Sequence, residues 1–326
     1  MLPANDMEPM PHRFRVAVVQ LVFAPSIGEN LARIEESVMQ ATGRGADAIL
    51  LPECATTGYA RGFDGLERGE VRGAIAALSA LAARVRVNLL VGTPLFIGRS
   101  LYNALVVFDR RGRMVHAYAK CQLTGRDRRW FTPGDGLSFF RIDGVPCTAI
   151  ICHERRYPEL VRLPVMAGAR VVFHPNAGLD ALAVSRAKRG GRDGIAVRAF
   201  ENAVFYAFAN SVGPQGDGLW SAGDSKVVAP DGSVLCLAGN RRASVEVADL
   251  DMALATRKYA VEGLRRPAFL APHWRRALAE LRLRARAMDA RARKALSHGA
   301  PLPRSAAAWA APRSARRSQV MGTCRG

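Results

Sequence analysis

The feature that most narrows the possible folds is an alternation of segment types in the first fifty residues. A buried-strand pattern, "RVAVVQ", is followed by "NLARIEESVMQAT", which puts Leu31, Ile34, Val38 and Met39 on one helical face. A second apolar strand, "DAILLPE", comes next. Strand, helix, strand in that order predicts a parallel pair joined by a crossover. After a helical "VRGAIAALSALAARV" come the strands "NLLVGTPLFI", "LYNALVVFD" and "GRMVHAYAK", the last two joined by a hairpin turn at "RRGR", and then the strand "PCTAIIC". The pattern then repeats, with a helix from about Pro158 to Ala167, a strand "RVVFHPN", and a helix "GIAVRAFENAVF" running into the strand "YAFANSVG". A hairpin "SKVVAPDGSVLCL" turns on Pro230-Asp231-Gly232, and "SVEVADL" closes the series. So many strands with helices between them predict one layered α/β domain, two sheets covered by helices, over residues 1–265.

Composition supports a globular chain: 49% of the 326 residues are apolar, enough to bury a sizeable core. No apolar run is long enough for a membrane span, and "RVAVVQLVFA" lacks the cleavage site of a signal peptide. The six cysteines are scattered without CxxC pairs, which predicts a reduced, cytoplasmic setting. Cys147, Cys152 and His153 lack a fourth partner at usable spacing, so no metal is expected. The net charge of +19 is concentrated at one end, because residues 264–326 hold fifteen Lys and Arg against Glu280 and Asp289. Residues 266–326 therefore read as a basic extension. An amphipathic helix places Trp274, Leu278, Leu281, Ala285 and Met288 on one stripe, to be buried against the parent domain or a twin subunit, and a disordered Ala-, Arg-, Pro- and Ser-rich remainder follows. Clustered arginines could neutralise phosphates, but the domain supplies no further sign of nucleic-acid binding, and none is expected.

Three strands in this reading end on a residue able to do chemistry: "DAILLPE" on Glu53, "MVHAYAK" on Lys120 and "CTAIIC" on Cys152. Functional groups in open α/β sheets gather beyond the carboxyl ends of strands. A thiol is nucleophilic when deprotonated, which a neighbouring ammonium and a helix start just after Cys152 would favour. A carboxylate can take the thiol proton and later pass it to a leaving amine. A lysine cation, together with the His153 backbone N–H, can hold the negative oxygen of a tetrahedral intermediate. Glu53, Lys120 and Cys152 thus divide the labour of acyl transfer.

With "GADAILLPECATTGY", "YAKCQLTGRDRRWFTPGD", "IICHERRYPEL", "GARVVFHPNAG", "VRAFENAVFYAFANSVG" and "SAGDSKVVAPDG" in order after "RVAVVQ", the sequence resembles the nitrilase superfamily, the carbon–nitrogen hydrolases with a Glu-Lys-Cys triad. The resemblance spans about residues 14–255. It implies a four-layer α-β-β-α sandwich, a homodimer or larger assembly, no cofactor, and hydrolysis of non-peptide C–N bonds through a thioester on Cys152. One departure stands out: relatives carry a second glutamate after the lysine, whereas here no Glu occurs between Lys120 and Cys152, and Asp127 sits at that position. A role for Asp127 in orienting Lys120 or the substrate requires its loop to move inward.

The pair Arg155-Arg156 resembles the "CNDRRWPE" stretch of N-carbamoyl-D-amino-acid hydrolases, where the arginines grip the substrate carboxylate. A planar guanidinium fork suits that task, though Arg156 could instead pair with Glu159 or Glu154. The expected substrate is a small amide or ureido acid bearing a carboxylate, with loops such as "AVSRAKRGGRD" shaping the pocket. The alternatives are a nitrile substrate, a catalytically silent scaffold, or a nucleic-acid binder acting through the basic tail.

Overall fold

The computed structural model describes residues 10–187 and 194–297. The end of the "AVSRAKRGGRD" loop, Cys324 and the segment expected to be disordered lie outside the described residues.

The first half of the chain runs β1 (Arg13–Gln20), α1 (Ile27–Gly43), β2 (Ala48–Leu50), α2 (Arg68–Val85), β3 (Asn88–Ile97), β4 (Ser100–Phe108) and β5 (Met114–Ala119). It continues through β6 (Phe140–Ile142), β7 (Val145–Ala149), α3 (Glu159–Ala167), β8 (Val171–Asn176), β9 (Asp180–Ala181), α4 (Leu182–Ala187) and α5 (Ile195–Phe200). Strands β10 (Phe205–Asn210), β11 (Val212–Pro214), β12 (Leu219–Ala222), β13 (Lys226–Val228), β14 (Val234–Leu237) and β15 (Ser244–Asp251) follow, then α6 (Lys258–Gly263) and α7 (Ala271–Ser297). Two six-stranded sheets result, ordered β15-β1-β2-β3-β4-β5 and β14-β13-β10-β8-β7-β6, with a small ribbon β11-β12-β9. The crossovers α1 and α2 make β1, β2 and β3 parallel, as α3 does for β7 and β8.

Side-chain alternation assigns the layers. Along β1, Val16 and Val18 point into a core shared with Val145, Ala149, Val171, Phe173 and Ala207 of the second sheet. Ala17 and Val19 point the other way, onto Ile34 and Val38 of α1 and Ile75 and Leu78 of α2. On the outer face of the second sheet, Val172, Tyr206 and Phe208 meet Val161 and Val165 of α3 and Ile195 and Ala199 of α5. The fold is the α-β-β-α sandwich.

Two segments depart from the sequence reading. The helix predicted over "GIAVRAFENAVF" stops at Phe200: Asn202 turns its Nδ2 back to the Arg198 carbonyl, and Ala203 takes a left-handed φ of 49°. The strand predicted to end on Cys152 ends at Ala149, and no α-helix starts at the cysteine. Residues Cys152–Arg156 form a 3-10 turn, and α3 waits until Glu159, after Pro158. The Cys152 φ of 52° is compatible with neither strand nor helix.

The stripe of α7 faces the chain's own sandwich. Leu278 joins the α3 side and Met288 and Ala292 the α1/α2 side, so the helix crosses the edge where both sheets end. Asp289 Oδ1 accepts the Ala117 N–H at 2.9 Å, satisfying a donor on the outer edge of β5.

Candidate active site

Glu53 lies three residues past β2, and the chain can pass there because residue 92 of β3 has no side chain. A Cβ on Gly92 would stand 2.3 Å from the Pro52 oxygen. The loop that carries Asp127 folds back over Lys120 in the same way, since a Cβ on Gly134 would meet the Ala119 oxygen at 2.2 Å.

Both carboxylates converge on one ammonium. Lys120 Nζ donates to Glu53 Oε1 at 2.8 Å and to Asp127 Oδ2 at 2.7 Å, and all three side chains are 1–2% exposed. Glu53 Oε1 also accepts Tyr59 Oη at 2.8 Å and Asn103 Nδ2 at 2.7 Å, while its Oε2 accepts the Ala177 N–H at 3.0 Å. Asp127 reaches Lys120 because its loop is drawn inward. Trp130 and Phe131 pack on Phe63, the Thr132 N–H bonds the Leu101 carbonyl, and the Thr124 N–H donates to Asp127 Oδ2 at 3.1 Å. Burial acts to lower the Lys120 pKa, but the carboxylates of Glu53 and Asp127 hold it well above the usual lysine range. The lysine therefore stays charged and cannot act as a base at neutral pH.

Cys152 behaves differently from the sequence expectation of an acidified thiol. Burial, and then the negative field of Glu53, push its pKa up to about 12, and Lys120 offsets this only in part. Glu53 and Asp127 already set two carboxylates against one ammonium, so a resting thiolate would raise the total negative charge of a low-dielectric site. Passing the thiol proton to Glu53 leaves that total unchanged, which is why a carboxylate beside the thiol is the chemically sensible partner.

These residues share one cavity of about 260 Å³, lined by Glu53, Tyr59, Lys120, Asp127 and Cys152 and also by His153, Arg126, Arg155 and Arg156. Burial, Lys120 and the two neighbouring arginines lower the His153 pKa, so its imidazole is neutral. Arg156 forms no ion pair with Glu159 or Glu154 among the described residues. Glu154 is buried and turned the other way, where it accepts Tyr118 Oη at 2.9 Å and the N–H groups of Ile151 and Cys121, both at 2.7 Å. That carboxylate ties the cysteine turn to the peptide just after Lys120.

Sequence reasoning missed Tyr59, Asn103, Glu154 and Arg126. Asn103 lies among apolar residues of β4, where a polar side chain at 0% exposure must find a partner, and that was the available signal. Among the described residues no group of three or more His, Cys, Asp or Glu is placed to hold a metal ion, and no helix is long and apolar enough to cross a membrane.

Comparison with known proteins agrees with this geometry. The carbon–nitrogen hydrolase family model matches residues 15–259. A nitrilase of Pyrococcus abyssi is 31% identical over 253 residues, covering 75% of this chain and 92% of that protein. An omega-amidase of Danio rerio is 29% identical, covering 74% and 89%. Among solved structures, an amidase of the nitrilase superfamily from Nesterenkonia aligns with a TM-score of 0.69 at 26% identity, covering 83% of this chain and all of that one. A further structure of that amidase carries the acetamide moiety of fluoroacetamide on its active-site cysteine. The chain belongs to the carbon–nitrogen hydrolase family of the nitrilase superfamily and is an amidase-type hydrolase of C–N bonds.

Proposed function

We propose that the enzyme hydrolyses a small amide or ureido acid bearing a carboxylate, through a thioester on Cys152. The observation that carries the proposal is Lys120, clamped between Glu53 and Asp127 beside a neutral Cys152, in a cavity also lined by Arg155 and Arg156. Glu53 takes the thiol proton as Cys152 Sγ attacks the carbonyl carbon. The carbonyl oxygen becomes negative and is held by Lys120 and the His153 N–H. Collapse breaks the C–N bond, Glu53 delivers its proton to the leaving nitrogen, and ammonia or an amine departs. Water, activated by the same carboxylate, then cleaves the thioester to give the acid and the free thiol.

Asp127 keeps Lys120 aimed at the cavity and adds to the field that keeps it protonated. Arg155 and Arg156 receive the substrate carboxylate through their planar guanidinium forks, while Arg126, which also lines the cavity, is paired with Asp217 at 3.1 Å. The omega-amidase relative supports an amide as the bond that is cleaved. The nitrilase relative keeps a nitrile as the second reading, since thiol addition to a nitrile would use the same trio.

Turnover of succinamate, glutaramate and N-carbamoyl amino acids, compared with butyramide, tests the substrate class. The acids should exceed the uncharged amide in kcat/KM by roughly tenfold or more, as expected for a charge-assisted contact of 1.5–3 kcal/mol. A preference for butyramide would remove the arginines from substrate recognition.

A further inference from the structure

Cys152 sits in a left-handed backbone conformation, with a φ of 52°, and its carbonyl oxygen has a buried partner. That partner is on β8. His174, fully buried, has Nε2 at 3.0 Å from the Cys152 carbonyl oxygen, and its Nδ1 is 2.9 Å from Tyr206 Oη on β10. His174 and Tyr206 are placed by the parallel pairing of those strands, in which His174 lies opposite Phe208, with the two rings 4.9 Å apart.

A carbonyl oxygen can only accept, so His174 Nε2 carries the proton. Burial, and then the charge of Arg155, hold the imidazole well below the usual histidine range, so the ring is neutral and Nδ1 is a bare acceptor for the Tyr206 hydroxyl. The direction of the chain of hydrogen bonds is thereby fixed: Tyr206 donates to His174, and His174 donates to Cys152.

The Cys152 carbonyl and the His153 N–H belong to one planar trans peptide unit, in which C=O and N–H point in opposite directions. We propose that His174, backed by Tyr206, is a positioning residue for the oxyanion: by binding the Cys152 carbonyl it aims the His153 N–H at the oxygen of the substrate carbonyl. The hydrogen bond to the carbonyl also polarises the peptide, making its N–H a better donor at the moment negative charge develops. The inference rests on the acyl-transfer reading above and adds to it how the backbone donor is kept in place.

The test separates two reactions of the same thiol. Alkylation by iodoacetamide forms a C–S bond with loss of iodide and builds no oxyanion, whereas acylation by succinamate or butyramide does. In His174→Phe, kcat for the amide should fall by about 10–100-fold, a fraction of the 10²–10³ seen when an oxyanion donor is removed outright. KM should stay within about threefold, and the iodoacetamide rate at Cys152 should be unchanged. His174→Gln, whose amide N–H can reach the same carbonyl, should recover most of kcat. Tyr206→Phe, which removes one hydroxyl, should lose about threefold to tenfold in kcat with normal alkylation, and it answers the question if His174→Phe does not fold. Equal losses of alkylation and turnover, or turnover unchanged in His174→Phe or Tyr206→Phe, overturn the proposal while the hydrolase reading stands. A wild-type enzyme that alkylates at Cys152 but acylates with neither amide overturns that reading, and this proposal with it.

Discussion

Two protonation states carry the proposed chemistry at the scale of single residues: Lys120 charged, and Cys152 neutral until substrate arrives. Both follow from two carboxylates around one ammonium. Because burial and Glu53 raise the thiol pKa to about 12, the protonated form persists far above neutrality. On raising the pH from 7 to 10, the absorbance near 240 nm of wild type minus Cys152→Ala should therefore show no thiolate step. A step near pH 8 would mean that the thiol is acidified at rest. Asp127→Asn removes one anion from Lys120 and should lower kcat by about 10–100-fold, and turnover within twofold of wild type would strip Asp127 of its role. Glu53, Lys120 and Cys152 could be found from sequence because each follows an apolar run. The groups that orient them could not: Asn103 is 50 residues from Glu53 and the Ala177 N–H is 124 residues away, so only the folded pairing of strands brings them together.

At the scale of elements, strand and helix types were readable from periodicity, since one-sided helices and two-faced buried strands leave different patterns. Their ends were less so. The turn at Cys152 follows a strongly apolar run and carries residues compatible with a helix, but the cysteine takes a left-handed φ and its carbonyl meets His174 of another strand, neither of which periodicity reveals. The early stop of α5 likewise depends on one side-chain hydrogen bond and one left-handed alanine. Between β2 and β3 the constraint is steric. Gly92→Ala would put a methyl group 2.3 Å from the Pro52 oxygen and 2.6 Å from Glu53 Cα. It should cost about 1–3 kcal/mol in denaturant unfolding and displace Glu53, with a matching loss of kcat. Unchanged stability would show that the Glu53 loop is not seated on β3 as described.

For the whole molecule, the sandwich has an open side where β5 and β6 end, and α7 closes it. Met288, 6% exposed, packs into the α1/α2 core, and Asp289 caps the β5 edge. Met288→Ala should destabilise the protein by about 2 kcal/mol or more in urea, as for a buried large-to-small change. Removal of α7 should expose the β5 edge and produce aggregation visible by light scattering. A truncated chain as stable and soluble as the full one would mean that the helix is only an appendage. The amphipathic stripe was evident in the sequence, but which surface it covers was not, because periodicity describes a face without naming its partner. The central claim, that the converged trio makes an acyl enzyme, is tested most directly by intact-protein mass spectrometry after rapid acid quench with succinamate. A mass increase equal to the acyl group, mapped to Cys152 and absent in Cys152→Ala, is the predicted result. Amide turnover that persists in Cys152→Ala, or an adduct on any other residue, would contradict the account.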